Sequence, residues 1–333
     1  MAKDNLQIRP LHKDDAGRVR RILQVAFEDE YRRMGQKNTR LPTMTDRLLD
    51  YYMGRTLHYS FAAEKRGGII GFCLACRWGK TAWMGPIAIL PPAQGGGIGR
   101  RLVERSTAEL RRADVTTLGV ETMPRSYRNL QFYSGLGMVF AGMTLDLSCS
   151  SLLKSERSDR PGKIEDMSLV ALSDLNESEM DEALEKIAEI SNMVSPGLDY
   201  RPEVEATFRF QIGDVLLLFW RSQAAGFAIV HTLPYAKEEI AGTVRVNTLL
   251  IKPSEDGMPA IDRMCEGMIL LTENWITSEG YDAAIFRVPA RYNNVRDCLL
   301  ERGYSISHSD VRMTYQDLKE TDTPESVHLS KWE

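Results

Sequence analysis

Gln94-Gly95-Gly96-Gly97-Ile98-Gly99-Arg100 offers the clearest chemistry in this chain of 333 residues. It follows an apolar run at 84–90 and opens the segment RRLVERSTAELRRA, where Leu102, Val103 and Leu110 fall on one helical face. Glycine lacks a Cβ, so its backbone turns tightly and can aim several N–H groups at one anion. A helix starting here adds about half a positive charge at its N-terminus, and Arg100 and Arg101 add whole ones. Such a loop suits a pyrophosphate; the plain alternative is a glycine turn that only starts a helix. The Walker pattern would need Lys and Ser or Thr where Arg100 and Arg101 stand. The dinucleotide pattern G-x-G-x-x-G, read from Gly95 and Gly97, meets Arg100 at its third glycine. What fits is Q/R-x-x-G-x-G/A, with Gln94, Gly97 and Gly99.

Glu121 is the second candidate. It lies in TTLGVET, a strand with Thr117 and Gly119 on its face and Leu118 and Val120 opposite. A carboxylate among apolar strand residues is expected to hold its proton more tightly than usual, which suits a base acting through water. The bland alternative is an exposed edge glutamate.

The glycine segment resembles the coenzyme A pyrophosphate loop of the GNAT superfamily of N-acetyltransferases. IAILPPAQGGGIG is similar to that family's strand and loop, and FYSGLGM to its closing Y-x-x-x-G-F, as Tyr133, Gly137 and Met138, with Met where Phe is usual. The resemblance covers roughly residues 6–147. It implies acetyl-coenzyme A as cosubstrate and no metal. It implies backbone contacts to the coenzyme from Ile87, Ala88 and Ile89, and a diphosphate held by Gln94, Gly95, Gly96, Gly97, Ile98, Gly99 and Arg100. Tyr133 matches the family's general acid, and a phenol is protonated at neutral pH. Its spacing from Glu121 is similar to the glutamate–tyrosine pair of ribosomal-protein N-terminal acetyltransferases, though some members use water alone. Ser126 stands where many members carry an Asn that touches the coenzyme; Asn129 is the substitute.

Other chemistry is less expected. Cys73 and Cys76 have CxxC spacing, but on a strand they point to opposite faces, against shared ligation. His12, His58, His231, His308 and His328 are scattered and make no metal motif. The arginines from Arg100 to Arg112 read as a solvated helix face, and without interleaved aromatics they do not suggest nucleic acid.

These residues need elements to hold them. The expected order is a strand at 6–11, helices at 17–34 and 45–53, and an antiparallel meander through YSFAAE, GIIGFCLACRW and TAWMGPIAIL. The glycine loop, its helix, the Glu121 strand, a helix at 128–134 and a strand at 138–147 follow. The same order returns about 165 residues later: MSLVAL, a helix at 177–193, DVLLLFW, GFAIVHTL, TVRVNTLLI, helix 258–280, DAAIFRVPA, helix 292–303 and VRMTYQDL. The fold expected is α+β, two tandem GNAT-like domains, each a mixed, mostly antiparallel sheet flanked by helices. The boundaries are 1–148 for the coenzyme-binding domain, 149–165 for a polar linker, 166–317 for the second domain and 318–333 for a frayed polar tail.

The second half replaces the glycine loop with Lys252-Pro253-Ser254-Glu255-Asp256-Gly257-Met258-Pro259. Two acids stand where a pyrophosphate would sit, and Pro259 removes an N–H donor. It is therefore read as a degenerate copy, left to shape the acceptor cleft, give acidic contacts to a cationic amine or build a homo-oligomer. Tandem members such as the mycothiol synthases and the enhanced-intracellular-survival acetyltransferases have a similar architecture. Charge divides the same way. Residues 1–160 hold 26 Lys and Arg against 16 Asp and Glu; the remainder hold 16 against 30. A basic first half suits a polyanion, and opposite charges also help two halves dock.

The expected activity is acetyl transfer to a primary amine, small or on a protein N-terminus or lysine. A non-catalytic acyl-coenzyme A sensor and a plain scaffold are the competing readings. Composition is ordinary, 43% hydrophobic and 26% charged, with no apolar run near the ~20 residues a bilayer needs. Five cysteines, odd in number, and an N-terminus without an apolar core are expected of a cytoplasmic protein with free thiols.

Overall fold

The computed structural model describes residues 6–36, 44–152, 166–234 and 242–330. The expected linker lies outside the described residues from 153 onward; before that, Cys149 ends a strand and Leu152 is buried. The first half runs β1 (Gln7–Pro10), α1 (Ala16–Arg33), α2 (Asp46–Thr56), β2 (Phe61–Lys65), β3 (Gly68–Trp78), β4 (Thr81–Ile89), α3 (Ile98–Arg112), β5 (Thr117–Thr122), α4 (Tyr127–Ser134) and β6 (Met138–Cys149). The second runs β7 (Met167–Ala171), α5 (Glu177–Val194), α6 (Arg201–Arg209), β8 (Gly213–Trp220), β9 (Gln223–His231), β10 (Thr243–Ile251), α7 (Met258–Ser278), β11 (Ala283–Pro289), α8 (Asn293–Glu301), β12 (Ser305–Tyr315) and β13 (Val327–Ser330). Each expected element is present, and the duplication is plain in the order.

Local chemistry explains the elements. In α3 the buried residues Ile98, Leu102, Val103, Ser106 and Leu110 recur every three or four positions, one face of a helix. In α5 the Asn176 carboxamide accepts the Glu179 N–H at 3.1 Å, and the Glu179 carboxylate accepts the Asn176 N–H at 3.0 Å, closing a capping box. Helix α6 has no counterpart in the sequence reading, because RPEVEATFR is short and opens on a proline.

The halves do not close as separate sheets. Among the described residues one sheet of 13 strands runs β1-β2-β3-β4-β5-β12-β6-β11-β10-β9-β8-β7, with β13 beside β10. Within each half one pair is parallel, β4 with β5 and β10 with β11. One long strand of each half pairs with the other half: β12 with β5, and β6 with β11. β6 and β12 also pair antiparallel with each other, from Met138↔Tyr315 to Ser148↔Ser305. Each long strand thus covers a sheet edge that the other half leaves open. A core joins the halves as well, with Cys76, Trp78 and Trp83 packed among Ile187, Tyr200 and Phe227.

A buried chain of charges crosses this seam. Arg312 of β12, whose side chain is 1% exposed, donates to Glu121 of β5 at 2.6 Å and pairs with Glu320. Arg291 bonds Glu320 at 3.0 Å and Asp322 in turn. His328 Nδ1 meets Asp322 at 3.1 Å, and its Nε2 meets the Tyr200 hydroxyl at 3.0 Å. Buried ions persist only when paired and hydrogen-bonded, and each here has its partners. The chain also corrects the expected frayed tail. Residues 318–330 pack, and β13 is buried throughout, pairing Val327↔Ile251 to Ser330↔Thr248. The polar look of this segment hid partners that lie more than a hundred residues away or across the sheet.

Burial would push the Asp322 carboxyl up, yet His328 and Arg291 bring it down to about 2. A carboxyl whose folded pKa lies below its unfolded value supports the fold above the unfolded value; that support is lost as pH falls through the folded one. The window is about pH 4 to about pH 2, and the contribution about 2 kcal/mol. Denaturant melts of the wild type and Asp322→Asn are expected to differ most at neutral pH and to converge across this window. A difference that stays constant with pH would contradict the assignment.

Candidate active site

β4 and β5 pair only from Thr81↔Thr117 to Met84↔Val120. β4 then continues through Gly85 and Pro86 to Ile89, held by β3 alone, with a register shift against β3 between Cys73 and Ala75. The β5-facing edge of residues 85–89 therefore has no strand beside it. Its backbone polar groups need partners from elsewhere.

At the end of β4 the chain turns through Gln94 to Gly97, the residue that caps α3. Gly95 and Gly97 have φ of 84° and 73°, the left-handed region that glycine enters freely. A Cβ built on either would meet nothing within 4 Å, so the turn is open above its backbone. The first helical bond is Arg101 N–H to Gly97 C=O at 3.1 Å. The amides of Ile98, Gly99 and Arg100 precede it and have no partner within the helix. Gly99 permits close packing, since a Cβ there would lie 3.1 Å from Ile89 and 3.3 Å from Phe132. Arg128 ties the loop to α1: it donates to Gln94 Oε1 and to Glu30 Oε2, each at 2.6 Å. Gln94 donates to the Ile89 carbonyl at 2.9 Å, and Arg100 to the Gly135 carbonyl at 2.8 Å.

A cavity of about 720 Å³ opens between these parts. Of the residues singled out in the sequence, Ile87, Ala88, Ile89, Gln94, Gly95, Gly97, Ile98, Gly99, Arg100, Glu121, Asn129 and Tyr133 line it. Gly96 and Ser126 do not. Ser126 is buried, where its hydroxyl caps α4 by accepting the Asn129 N–H at 3.4 Å and donates to Glu30. Asn129 is on the wall, with Nδ2 3.3 Å from Thr122 Oγ1.

The Tyr133 ring packs against Phe132, and burial pushes its phenol up, so it stays protonated at neutral pH. The Glu121 side chain is 2% exposed. It accepts from Arg312 at 2.6 Å and from Thr144 at 2.7 Å, and Arg287 lies 3.9 Å away. Burial pushes this carboxyl up, against the pull of Arg287 and Arg312. It is an ion-paired carboxylate on a cavity wall rather than an exposed edge residue.

Sequence reading missed three contributions. Leu23, Phe27, Glu30 and Tyr31 of α1 line the cavity. Arg128 is a bridge rather than a bystander. His308 and Asp310 reach the same cavity from β12, in the other half. No signal in the chain order could place them there, because the strand exchange does it.

Among the described residues the corresponding gap of the second half is closed. β10 and β11 pair from Thr243↔Ala283 to Val246↔Phe286, as β4 and β5 do, but β13 then lies along Thr248 to Ile251. The gap that stays open in the first half is filled here by the chain's own last strand. Among the described residues no group of acidic, histidine or cysteine side chains could hold a metal ion, and no helix is long and apolar enough to cross a membrane.

Comparison with known proteins fits this geometry. Residues 18–138 match the Acetyltransferase (GNAT) family. No curated protein matches the sequence. In fold, the chain is similar to a Pyrococcus horikoshii protein assigned as an acetyltransferase, at TM-score 0.64 and 16% identity, over 100% of this chain and 96% of that one. It is similar to a GCN5-related N-acetyltransferase of Sphaerobacter thermophilus, at TM-score 0.58 and 13% identity, over 97% and 99%. It is also similar to a tandem GNAT protein from the clavulanic acid biosynthesis pathway, at 0.53 and 14%, over 93% and 98%. At these identities the likeness is one of fold, and it spans both halves.

Gly97→Val would force a β-branched residue into the left-handed region at the turn. Calorimetric titration with coenzyme A is expected to show at least about a tenfold loss of affinity, about 1.4 kcal/mol, with the melting curve still cooperative. Unchanged affinity would remove the turn from the binding site.

Proposed function

We propose that this protein, whose residues 18–138 match the Acetyltransferase (GNAT) family, moves an acetyl group from acetyl-coenzyme A to a primary amine. One observation carries the reading: the open glycine turn, the parted edge of β4 and Tyr133 line a single cavity. The residues fit the coenzyme. Amides of residues 95–100 and the Arg100 guanidinium would hold its diphosphate, and the backbone of Ile87, Ala88 and Ile89 would hold its arm. Bound there, acetyl-coenzyme A supplies an acyl group already activated as a thioester.

The chain's own residues handle the protons. A nitrogen attacking a carbonyl must give one up, and a departing thiolate gains by taking one. Tyr133, buried and protonated, is the donor to the thiolate side. Glu121, or a water beside it, takes the proton from the attacking nitrogen; its raised affinity for protons suits that task. A backbone N–H on the free edge of β4 polarises the carbonyl. The acceptor is a small amine or a protein N-terminus or lysine. Free cysteines, four of them buried, fit a reducing compartment such as the cytoplasm.

Thiol release across an amine panel tests the reading. Tyr133→Phe is expected to lower kcat by about 10²-fold or more while coenzyme affinity stays within about twofold of wild type. Wild-type turnover in this variant would reject the acid role. A wild-type protein that binds the coenzyme and releases no thiol with any amine would be a sensor instead.

A further inference from the structure

His308 and Asp310 stand two residues apart on β12 and line the reaction cavity from the opposite half of the chain. His308 Nε2 lies 3.3 Å from Asp310 Oδ1. The Asp310 side chain is buried, and its other oxygen accepts from Arg287. Arg287 also lies 3.0 Å from Asp146 of β6 and 3.9 Å from Glu121. One guanidinium thus lies against two of the carboxylates that line the cavity, Asp310 and Glu121, and the first of them grips an imidazole.

A purely structural histidine looks different in this protein. His328 is 2% exposed and both its ring nitrogens are bonded, to Asp322 and to Tyr200. The His308 side chain is 45% exposed, with one ring nitrogen bonded. Asp310 does not need it for charge balance, since Arg287 already pairs with that carboxylate. A carboxylate that accepts Nε2–H fixes the tautomer and leaves the Nδ1 lone pair to take a proton.

An alkyl amine arrives as an ammonium, and forming an amide requires it to shed two protons. Glu121 or water accounts for one of them. We infer that His308, oriented by Asp310, takes the other, the proton that must leave before the nitrogen has a lone pair. This rests on the acetyl-transfer reading. The ammonium gives one proton to His308 Nδ1, which passes it to solvent. The nitrogen then attacks the thioester carbonyl, the C–N bond forms and the C–S bond breaks. The nitrogen's second proton goes to Glu121 or water and on to solvent, and the departing thiolate takes the Tyr133 proton, which solvent restores. Asp310 is a positioning residue in this scheme, and the second half becomes a working part of the active site.

The charged groups facing His308 are Asp310 on its own strand, Asp146 on β6 and Arg287 on β11. Two carboxylates against one guanidinium favour the protonated ring, and the bond to Asp310 raises the His308 pKa above its ordinary value. Below that pKa the ring is already charged and cannot accept, so turnover falls on the acid side.

The test uses the full chain, an n-alkylamine panel and pH about 6 to 9. His308→Gln is expected to lower kcat/KM about 10²-fold at neutral pH with coenzyme affinity unchanged. Its rate should then climb about tenfold per pH unit, following the free amine alone. As a readout apart from turnover, the His308 imidazole should titrate above about 6.5 by NMR. It should titrate lower in Asp310→Asn. A His308→Gln profile within about twofold of wild type at every pH would overturn the inference while leaving acetyl transfer standing. So would an imidazole that titrates at or below its ordinary value. A wild type inert toward every amine would overturn the acetyl-transfer reading, and this inference with it.

Discussion

The ion pair between Glu121 and Arg312 spans the junction of the two halves at the wall of the reaction cavity. It exists only because β12 lies beside β5, and β12 belongs to the other half. Neither charge could be buried alone, since an unpaired ion in a low-dielectric interior is strongly disfavoured. The pair therefore makes the first half's interior depend on β12 of the second. The same crossing holds elsewhere: Arg55 of α2 bonds Glu203 of α6 at 2.8 Å, and the Trp78 indole donates to that carboxylate at 2.7 Å. Duplication yielded two copies of one fold, and strand exchange made them a single molecule.

The two copies then diverged by what fills the space between their parallel strands. In the first, β4 and β5 part beside a glycine turn, and the space is an open cavity. In the second, β13 occupies it. Charge follows the same division. One side of the cavity presents helix amides and Arg100, suited to a polyanion; another presents Glu121 and Asp310, suited to a cation. The second half, acidic in sequence, thus reaches into the cleft of the basic first half through His308 and Asp310.

Much of this was legible in the chain. The glycine loop, the strand before it and the helix after it are local features, and local backbone demands leave a local record in residue type. The repeat was legible because hydrophobic periodicity survives divergence. Strand exchange was not, because pairing β12 with β5 or with its own neighbours buries the same alternating pattern. Nothing in the sequence marks Arg287, Arg312 and Glu320 as buried, since a charged residue is almost never fully buried without a partner, and several of their partners are remote in sequence. Ser126 shows the opposite failure. Its place before Tyr133 suggested a ligand contact, while the hydroxyl is used to start α4 and hold Glu30. His308 was set aside as scattered, and it is scattered in sequence alone.

The proposed site for acyl-coenzyme A is the open first-half cleft, completed by the second half's strand. A crystal structure of the full chain with acetyl-coenzyme A tests it most directly. The diphosphate is expected against the amides between Gly95 and Arg100, the arm along residues 87–89, and the thioester within reach of Tyr133 and the β12 side chains. Coenzyme lodged at residues 252–259, or displacing β13 from β10, would contradict it.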